Sequence, residues 1–172
     1  ATDDYYVYVV SPGVEINKTI KGAKVRSFHT EKDLLMAFVT SWQEISPSII
    51  TGWNIDFFDV TYLYNRLKRL VGTTVANRLS PIGKVHWNKY RKRYIIAGVS
   101  ALDYIALYKN FTYTQLPNYR LDTVARKELG RGKIEYDGNL DQLFRDDIEK
   151  FCEYNLVDVE LVVDMDKKLQ FI

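Results

Sequence analysis

Short strand-like runs alternate with helical patterns along the first two thirds of the chain, and this alternation limits the possible folds more than any other feature. Residues 5–10 and 48–54 are rich in aromatic and β-branched side chains, as strands are. Apolar residues spaced by threes and fours predict helices over residues 31–46 and 60–71, and further helical patterns cluster toward the C-terminus. The sequence therefore predicts an α/β domain with helices flanking a mixed sheet.

The composition excludes several other classes of protein. A chain of 172 residues can form one compact domain, which we expect to span residues 1–172. Its 24 basic and 22 acidic residues leave a net charge of +2, so any surface that binds nucleic acid must be local. The single cysteine, Cys152, suits a reducing compartment, and no apolar run reaches the roughly 18 residues of a membrane span. The chain begins with Ala1 and enters a strand almost directly, so we expect it to be part of a longer polypeptide.

The last helical pattern, which starts near Leu140, carries polar groups on its apolar stripe. Continuing the stripe from Phe144 places Asn155 and Asp158 inward among apolar side chains. A carboxylate without a partner is costly to bury, so Asp158 should meet a cation, a strong donor or a water-filled cleft. Tyr154 precedes Asp158 by one helical turn, so its hydroxyl can lie beside that carboxylate. The alternative is that the helix rolls or breaks and Asp158 faces solvent.

Asp59 stands where the strand-like run 48–54 gives way to a helix. One interpretation is an N-cap that stabilises the helix by about 1 kcal/mol. The other is a ligand for a metal ion held over a phosphate. Asn54 and Asp56, just before it, have ordinary explanations as turn residues.

Residues 84–95 predict a β-hairpin with a basic tip. Cationic side chains can contact phosphates while aromatic rings stack on unpaired bases, which predicts a DNA-binding hairpin. The alternative is a solvated charged hairpin that contacts no DNA. The predicted DNA contacts are Lys84, Trp87, Lys89, Arg91, Lys92 and Arg93, and they alternate with Tyr90 and Tyr94.

Two short motifs and several longer stretches carry a resemblance to a known family. Asn54, Phe58 and Asp59 form an Asn-x-x-x-Phe-Asp motif, and Tyr154 with Asp158 forms Tyr-x-x-x-Asp. Together with "SPIGKV", "GVSALDYIALYKNF", "LPNYRLDTVA" and "GKIEYDG", they make the chain resemble the 3'-to-5' exonuclease region of family B DNA polymerases, most closely the T-even bacteriophage type. These exonucleases belong to the DEDD class, the variety with a tyrosine.

The resemblance implies a ribonuclease H-like fold and a specific set of roles. Asp59 and Asp158 would bind two divalent cations, Mg²⁺ or Mn²⁺, whose preference for hard oxygen ligands these carboxylates meet. Tyr154 would help to orient the attacking water, and Asn54 and Phe58 would contact the substrate. Lys133 would touch the phosphate, although it could equally be a solvated loop lysine. The implied partners are a single-stranded DNA 3' end, which the hairpin would part from its template, and the remaining polymerase domains. The implied location is the cytoplasm of a phage-infected or bacterial cell.

One departure from the family changes what we expect of the chain. The first exonuclease motif, Asp-x-Glu on a central strand, does not occur before Asp59, and the later copies at 147–149 and 158–160 belong to the last helix. We therefore expect a missing central strand, incomplete metal binding, weak or absent nuclease activity, and an open sheet edge that rearrangement or a homodimer could cover. The alternatives are a non-catalytic single-stranded-DNA-binding module of the same fold and, less favoured, a stand-alone ribonuclease of the superfamily.

Overall fold

A computed structural model describes residues 4–11, 13, 15–113, 115–134 and 139–172. The chain divides into two compact units, and we describe each by itself. The terminal unit comprises Ala1–His29 and Tyr113–Ile172, and the central unit comprises Thr30–Thr112.

The described residues form strands and helices in the alternating order that the sequence predicts. In chain order they are β1 Tyr6–Val10, β2 Asn17–Ile20, β3 Ala23–Phe28, α1 Glu31–Ile45, β4 Ile49–Gly52, α2 Asp59–Leu70, α3 Thr73–Ala76, a 3₁₀ turn at Asn77–Leu79, β5 Val85–Asn88, β6 Arg93–Ile96, β7 Ser100–Asp103, α4 Tyr104–Phe111, α5 Leu121–Leu129, α6 Leu140–Asp146 and α7 Ile148–Leu169.

The terminal unit contains a three-stranded sheet in the order β1-β3-β2. Strand β1 runs parallel to β3, and β2 pairs with β3 in the antiparallel direction. Val9, Val25 and Cys152 of α7 share a buried apolar cluster. Within the described residues β1 pairs on one side only, and a cavity of about 430 Å³ lies between this strand and α7. Strand β1 therefore lies at an edge of this sheet, and the expectation of a missing neighbouring strand stays a prediction.

The central unit contains two two-stranded sheets. Parallel pairing of β4 with β7 sets Gly52 beside Asp103, and antiparallel pairing of β5 with β6 forms the predicted hairpin. The apolar faces of α1 and α2 pack into one core because residues three and four apart share a helix face. Buried members of this core are Leu35, Val39, Ile55, Val60, Tyr64, Leu67, Ala76, Leu79 and Ile96.

Local sequence explains where α1 begins and ends. The Thr30 Oγ1 accepts a hydrogen bond from the Asp33 backbone N–H at 3.2 Å, which caps the first turn. Ser46 follows the last turn in a left-handed conformation, with φ of 46°, and Pro47 comes next. A residue before proline disfavours the right-handed helical region, so the helix ends there.

Three features differ from the sequence-based expectation. Strands β2 and the short α3 were not predicted, because polar residues dominate the first and four residues are too few for a periodic pattern. The strands form three small sheets within the described residues rather than one mixed sheet.

The inward stripe predicted for the last helix is wrong at Asn155, which is exposed. The helix is interrupted at Asp147, whose side chain caps α7 by accepting a hydrogen bond from the Lys150 N–H. Beyond this break Val162 and Met165 of the predicted stripe are buried and Asp158 is half-buried, so the stripe keeps its phase apart from Asn155. Residues buried on α7 are Cys152, Leu156, Val157, Leu161, Val162 and Met165.

No helix in the described ranges is both long enough and apolar enough to cross a membrane.

We predict that Leu67→Ala lowers the free energy of unfolding of the central unit by about 2–5 kcal/mol, because it leaves a cavity at a fully buried position. Denaturant unfolding followed by tryptophan fluorescence measures this, since Trp42, Trp53 and Trp87 all lie in that unit. Ile82→Ala, at an exposed position of the same unit, is the control and should change stability by less than about 0.5 kcal/mol. Equal losses for both variants would contradict the assigned core.

Candidate functional site

Residues 52–59, here called the 52–59 loop, connect β4 to α2 through a tight turn. Asn54 adopts a left-handed conformation with φ of 65°, and its carbonyl accepts a hydrogen bond from the Phe58 N–H at 3.1 Å. Helix α2 begins at Asp59 itself, and Phe58 occupies the N-cap position without a side-chain cap. The N-cap interpretation of Asp59 is therefore wrong. Its carboxylate sits in the first helical turn, where the helix dipole favours negative charge.

Asp59 has an unusual electrostatic environment. Protein atoms around the carboxylate displace part of its hydration even though the side chain reaches solvent, and this desolvation raises its pKa. A hydrogen bond from the backbone N–H of Asp59 opposes this and lowers the pKa, and the negative charge of Asp103, the smallest of the three effects, raises it. No ion pair to Asp59 occurs in the part of the chain that the structure describes. Asp59 is thus an acidic group whose charge is left without a cation.

The sequence analysis missed Asp103, although it repeats the pattern of Asp59. Asp103 also ends a strand and begins a helix, and its carboxylate accepts hydrogen bonds from the N–H groups of Ile105 at 2.9 Å and Asn54 at 3.3 Å. Register between β4 and β7 places Asp103 opposite Gly52. This carboxylate therefore binds the backbone N–H of Asn54 near the start of the 52–59 loop and contributes negative charge near Asp59. The signal in the sequence was the matching position of the two aspartates.

Exposed aromatic rings lie next to Asp59. Phe58 and Tyr62 stack with ring centroids 6.3 Å apart and an angle of 10° between their planes, and Phe57 is exposed beside them. A cavity of about 500 Å³ in the same unit is lined by Phe58, Asp59 and Tyr62, together with apolar side chains of the core such as Ile50. Exposed rings of this kind can stack on nucleic-acid bases.

In the terminal unit, Lys133, Tyr154 and Asp158 form one cluster. The Lys133 Nζ donates to Asp158 Oδ2 at 2.6 Å and lies 3.5 Å from the Tyr154 hydroxyl. The same ammonium lies 5.4 Å from the centre of the Tyr154 ring, within the range of a cation–π contact. Tyr154 and Asp158 meet there because they lie one turn apart on α7. The alternative in which Asp158 faces solvent is wrong, because the side chain is half-buried and paired.

Lys133 is held from both its backbone and its side chain. Its N–H donates to Asp122 Oδ1 at 2.8 Å, and Arg126 bonds the other oxygen of that carboxylate. Burial lowers the pKa of Lys133, but the hydrogen bond and charge of Asp158 outweigh burial and raise it. Lys133 is thus a fixed cation rather than a solvated loop lysine. Residues 135–138, which complete the "GKIEYDG" stretch, lie outside the described residues.

The hairpin tip exposes most of the predicted basic and aromatic groups. Asn88 Oδ1 accepts from the N–H groups of Tyr90 at 3.0 Å and Arg91 at 2.9 Å, which forms an Asx-type turn. Side chains open to solvent around this turn are those of Lys84, Trp87, Lys89, Tyr90, Arg91 and Lys92. Arg93 differs, because it is half-buried and its guanidinium pairs with Asp56.

The described residues fit a divalent metal site only in part. Asp158 Oδ1 is buried and has no hydrogen-bond partner among the described residues, so it can accept a cation. Asp59 offers a second carboxylate with no competing ion pair. In the described ranges, however, no group of three or more His, Cys, Asp or Glu side chains is placed to hold a metal ion. The structure thus assembles Asn54, Phe58 and Asp59 in one unit and Lys133, Tyr154 and Asp158 in the other.

Comparison with known proteins identifies the family. Residues 9–124 match the sequence model described as DNA polymerase family B, exonuclease domain. The chain belongs to this family. The matched segment contains the 52–59 loop and the hairpin. The fold described above is consistent with the ribonuclease H-like exonuclease fold.

Relatives support the same assignment across most of the chain. The DNA-directed DNA polymerase of Escherichia phage RB69 is 44% identical over 151 residues, and that of Enterobacteria phage T4 is 42% identical over 151 residues. Each alignment covers 84% of this chain and 17% of the relative. The DNA polymerase catalytic subunit of human herpesvirus 6A is 33% identical over 119 residues, or 62% of this chain and 12% of the relative. The aligned part of this chain thus spans about a sixth of the length of the phage relatives.

We predict that Asp103→Asn lowers the pKa of Asp59, because it removes a neighbouring negative charge while keeping an oxygen that can accept the Ile105 and Asn54 hydrogen bonds. A titration of the Asp59 carboxyl carbon by nuclear magnetic resonance measures this. Asp33→Asn, on α1 of the same unit, is the control and should leave the titration of Asp59 unchanged. A rise, or no change, in the pKa of Asp59 in Asp103→Asn would contradict the proposed charge coupling.

The raised pKa also sets how Asp59 contributes to stability. A carboxyl whose pKa is higher in the folded state than in the unfolded state favours folding when protonated. That contribution is present below the unfolded pKa and is lost as the pH rises through the folded pKa. At neutral pH this contribution is absent, so ionised Asp59 favours folding less than protonated Asp59 does.

Proposed function

We propose that this exonuclease domain removes nucleotides from single-stranded DNA 3' ends by metal-assisted hydrolysis, as the proofreading part of a family B DNA polymerase. The observation that carries the proposal is the cluster of Lys133, Tyr154 and Asp158 on the domain. The cluster joins a carboxylate, one oxygen of which has no hydrogen-bond partner, to a phenol and a fixed cation. The carboxylate can bind a metal ion and the cation can bind a phosphate oxygen, as cleavage of a phosphodiester requires. Family membership supports the same reaction.

Asp158 and Asp59 are the proposed ligands of two divalent cations, Mg²⁺ or Mn²⁺. Such cations, when bound, lower the pKa of a water molecule and stabilise the leaving oxygen. Asp158 offers Oδ1 for this purpose because Lys133 occupies Oδ2.

The other residues bind and orient the substrate. The Tyr154 hydroxyl is a donor and acceptor that can orient the attacking water, and Lys133 can contact a phosphate oxygen. Phe58, stacked with Tyr62, offers a ring face to the terminal base. Asn54, in the same loop, is exposed to solvent, where its side-chain amide can contact the substrate. The hairpin tip supplies cations for the DNA backbone and would help to separate a mismatched 3' end from its template.

We infer that the carboxylates missing from this site come from a further strand of a longer polypeptide. The phage relatives are about six times as long as the aligned segment, so a polypeptide of that kind has ample sequence to supply such a strand. The open edge of β1 can accept a strand through backbone hydrogen bonds. This arrangement accounts for the edge without requiring a second copy of the chain.

A non-catalytic single-stranded-DNA-binding module is the second candidate. The absence of a three-ligand metal cluster in the described ranges favours it for this chain alone. The exposed rings and cations would then bind DNA without cleaving it.

The test compares digestion of an end-labelled single-stranded oligonucleotide with Mn²⁺ by this chain and by a version extended to include the upstream strand. We expect little digestion by the chain alone and robust 3'-to-5' digestion by the extended form. In the extended form Asp158→Asn should lower the rate by at least about 100-fold, since even outer partners of a metal ligand contribute 10–100-fold.

Asp164→Asn is the matched control, because Asp164 lies on the same helix and its ion pair with Arg131 is solvent-exposed. Its rate should stay within about twofold of the parent, as exposed ion pairs contribute little. Failure of both forms to digest DNA, with binding retained, would favour the non-catalytic module. Robust digestion by the short form would contradict the proposed need for a further strand.

A further inference from the structure

A buried ion pair joins the hairpin to the 52–59 loop. Asp56, three residues before Asp59, is only 6% exposed, and its Oδ2 pairs with the Arg93 guanidinium of β6. Both residues belong to the central unit. The Arg93 Nε is also buried and has no hydrogen-bond partner among the described residues. The sequence gives no local sign of this contact, because the two residues are far apart along the chain.

The pair lies at the base of the hairpin tip on one side and in the loop before α2 on the other. Arg93 is the partner of Asn88, the last pair of the hairpin before the exposed tip at residues 89–92. On the other side, the Asp56 carbonyl accepts a hydrogen bond from Thr61 Oγ1 at 3.1 Å, which ties the loop to the first turns of α2. The pair therefore connects the base of the tip to the segment that positions Asp59.

A second contact restricts how the hairpin can move about that pair. The Tyr94 hydroxyl donates to Asn65 Oδ1 of α2 at 2.9 Å, and its ring lies 4.4 Å from the Tyr64 ring. Trp87 of β5 packs edge-on against Tyr94, with centroids 5.0 Å apart. The hairpin is thus attached through two neighbouring residues of β6, Arg93 and Tyr94. A displacement of its tip is therefore transmitted to the 52–59 loop.

Stability alone does not account for a buried pair of charges. A well-packed apolar pair of similar volume often stabilises a fold as well or better, because two charges need not then be removed from water. An arginine and a carboxylate do impose a defined distance and orientation, which apolar side chains do not. The pair is therefore better suited to setting geometry than to strengthening the core.

We infer that the Asp56–Arg93 pair positions the hairpin tip relative to the 52–59 loop. DNA bound at the tip then delivers an unpaired 3' end to Asn54, Phe58 and Asp59. Asp56 and Arg93 are positioning residues in this scheme and do not touch the reacting phosphate. The inference rests on the proposed exonuclease function and deepens it. It assigns to this pair the discrimination between a free single strand and a mismatched end on a duplex.

The experiment uses the double variant Asp56→Asn/Arg93→Met in the full polymerase polypeptide that carries this domain. Changing both residues leaves no lone charge buried. Exonuclease rates with Mg²⁺ are measured on a single-stranded oligonucleotide and on a duplex with a mismatched 3' end. We expect the ratio of the mismatched-duplex rate to the single-strand rate to fall by about tenfold or more, because small misplacements of a reacting group cost up to 100-fold.

The control is Glu31→Gln/Arg66→Met, which removes another partly buried ion pair of the same unit, between α1 and α2. It should leave the ratio of the two rates unchanged, whatever it does to thermal stability. If the test variant fails to fold by circular dichroism, Arg93→Lys replaces it. This substitution keeps the charge but loses the planar fork, and we expect the ratio to fall by about threefold.

The outcomes separate this inference from the proposed function. A parent protein that digests neither substrate would contradict the exonuclease function itself. An active parent whose rate ratio is unchanged in the test variant would overturn the positioning role, whether both rates fall together or neither falls. A similar fall of the rate ratio in the control variant would also overturn the positioning role, because the effect would then be a general loss of rigidity.

Discussion

A carboxylate that leaves water must meet a cation or a set of strong donors, and this requirement shapes every functional part of the structure. Asp56 meets the Arg93 guanidinium, Asp158 meets the Lys133 ammonium, and Asp103 meets two backbone N–H groups. Each partner comes from a different element, so satisfying the charge fixes one element against another. Unpaired burial would cost several kcal/mol per charge, which is comparable to the whole stability of a domain.

Asp59 does not follow this pattern among the described residues. Its neighbours raise its pKa, and one of them, Asp103, carries the same charge. Nothing in the described ranges neutralises it. Perturbed acids of this kind occur at functional sites far more often than structural needs alone would produce. Asp158 is an intermediate case, since one of its oxygens is paired and the other is buried without a partner.

Local patterns made much of the fold predictable. Apolar spacing located α1 and α2, and the Asp59 and Asp158 motifs stood out because a charged residue interrupted an apolar or strand-like context. Contacts between distant residues were not predictable. The nearness of Asp103 to the loop depends on the β4–β7 register, and the Asp56–Arg93 pair depends on how the hairpin lies against α2. The inward stripe of the last helix was predicted correctly at Val162 and Met165, which are buried, and wrongly at Asn155, which is exposed.

Charge balance argues that the cluster of Lys133, Tyr154 and Asp158 needs another acidic group before it can hold a divalent cation. One such cation brings two positive charges and Lys133 a third, whereas Asp158 brings one negative charge and a phosphodiester another. The remaining positive charge would disfavour cation binding in a half-buried cluster. One further carboxylate would bring the cluster to neutrality. The raised pKa of Lys133 makes this need stricter, because the ammonium stays charged near neutral pH. A strand that carries a carboxylate would supply the missing charge.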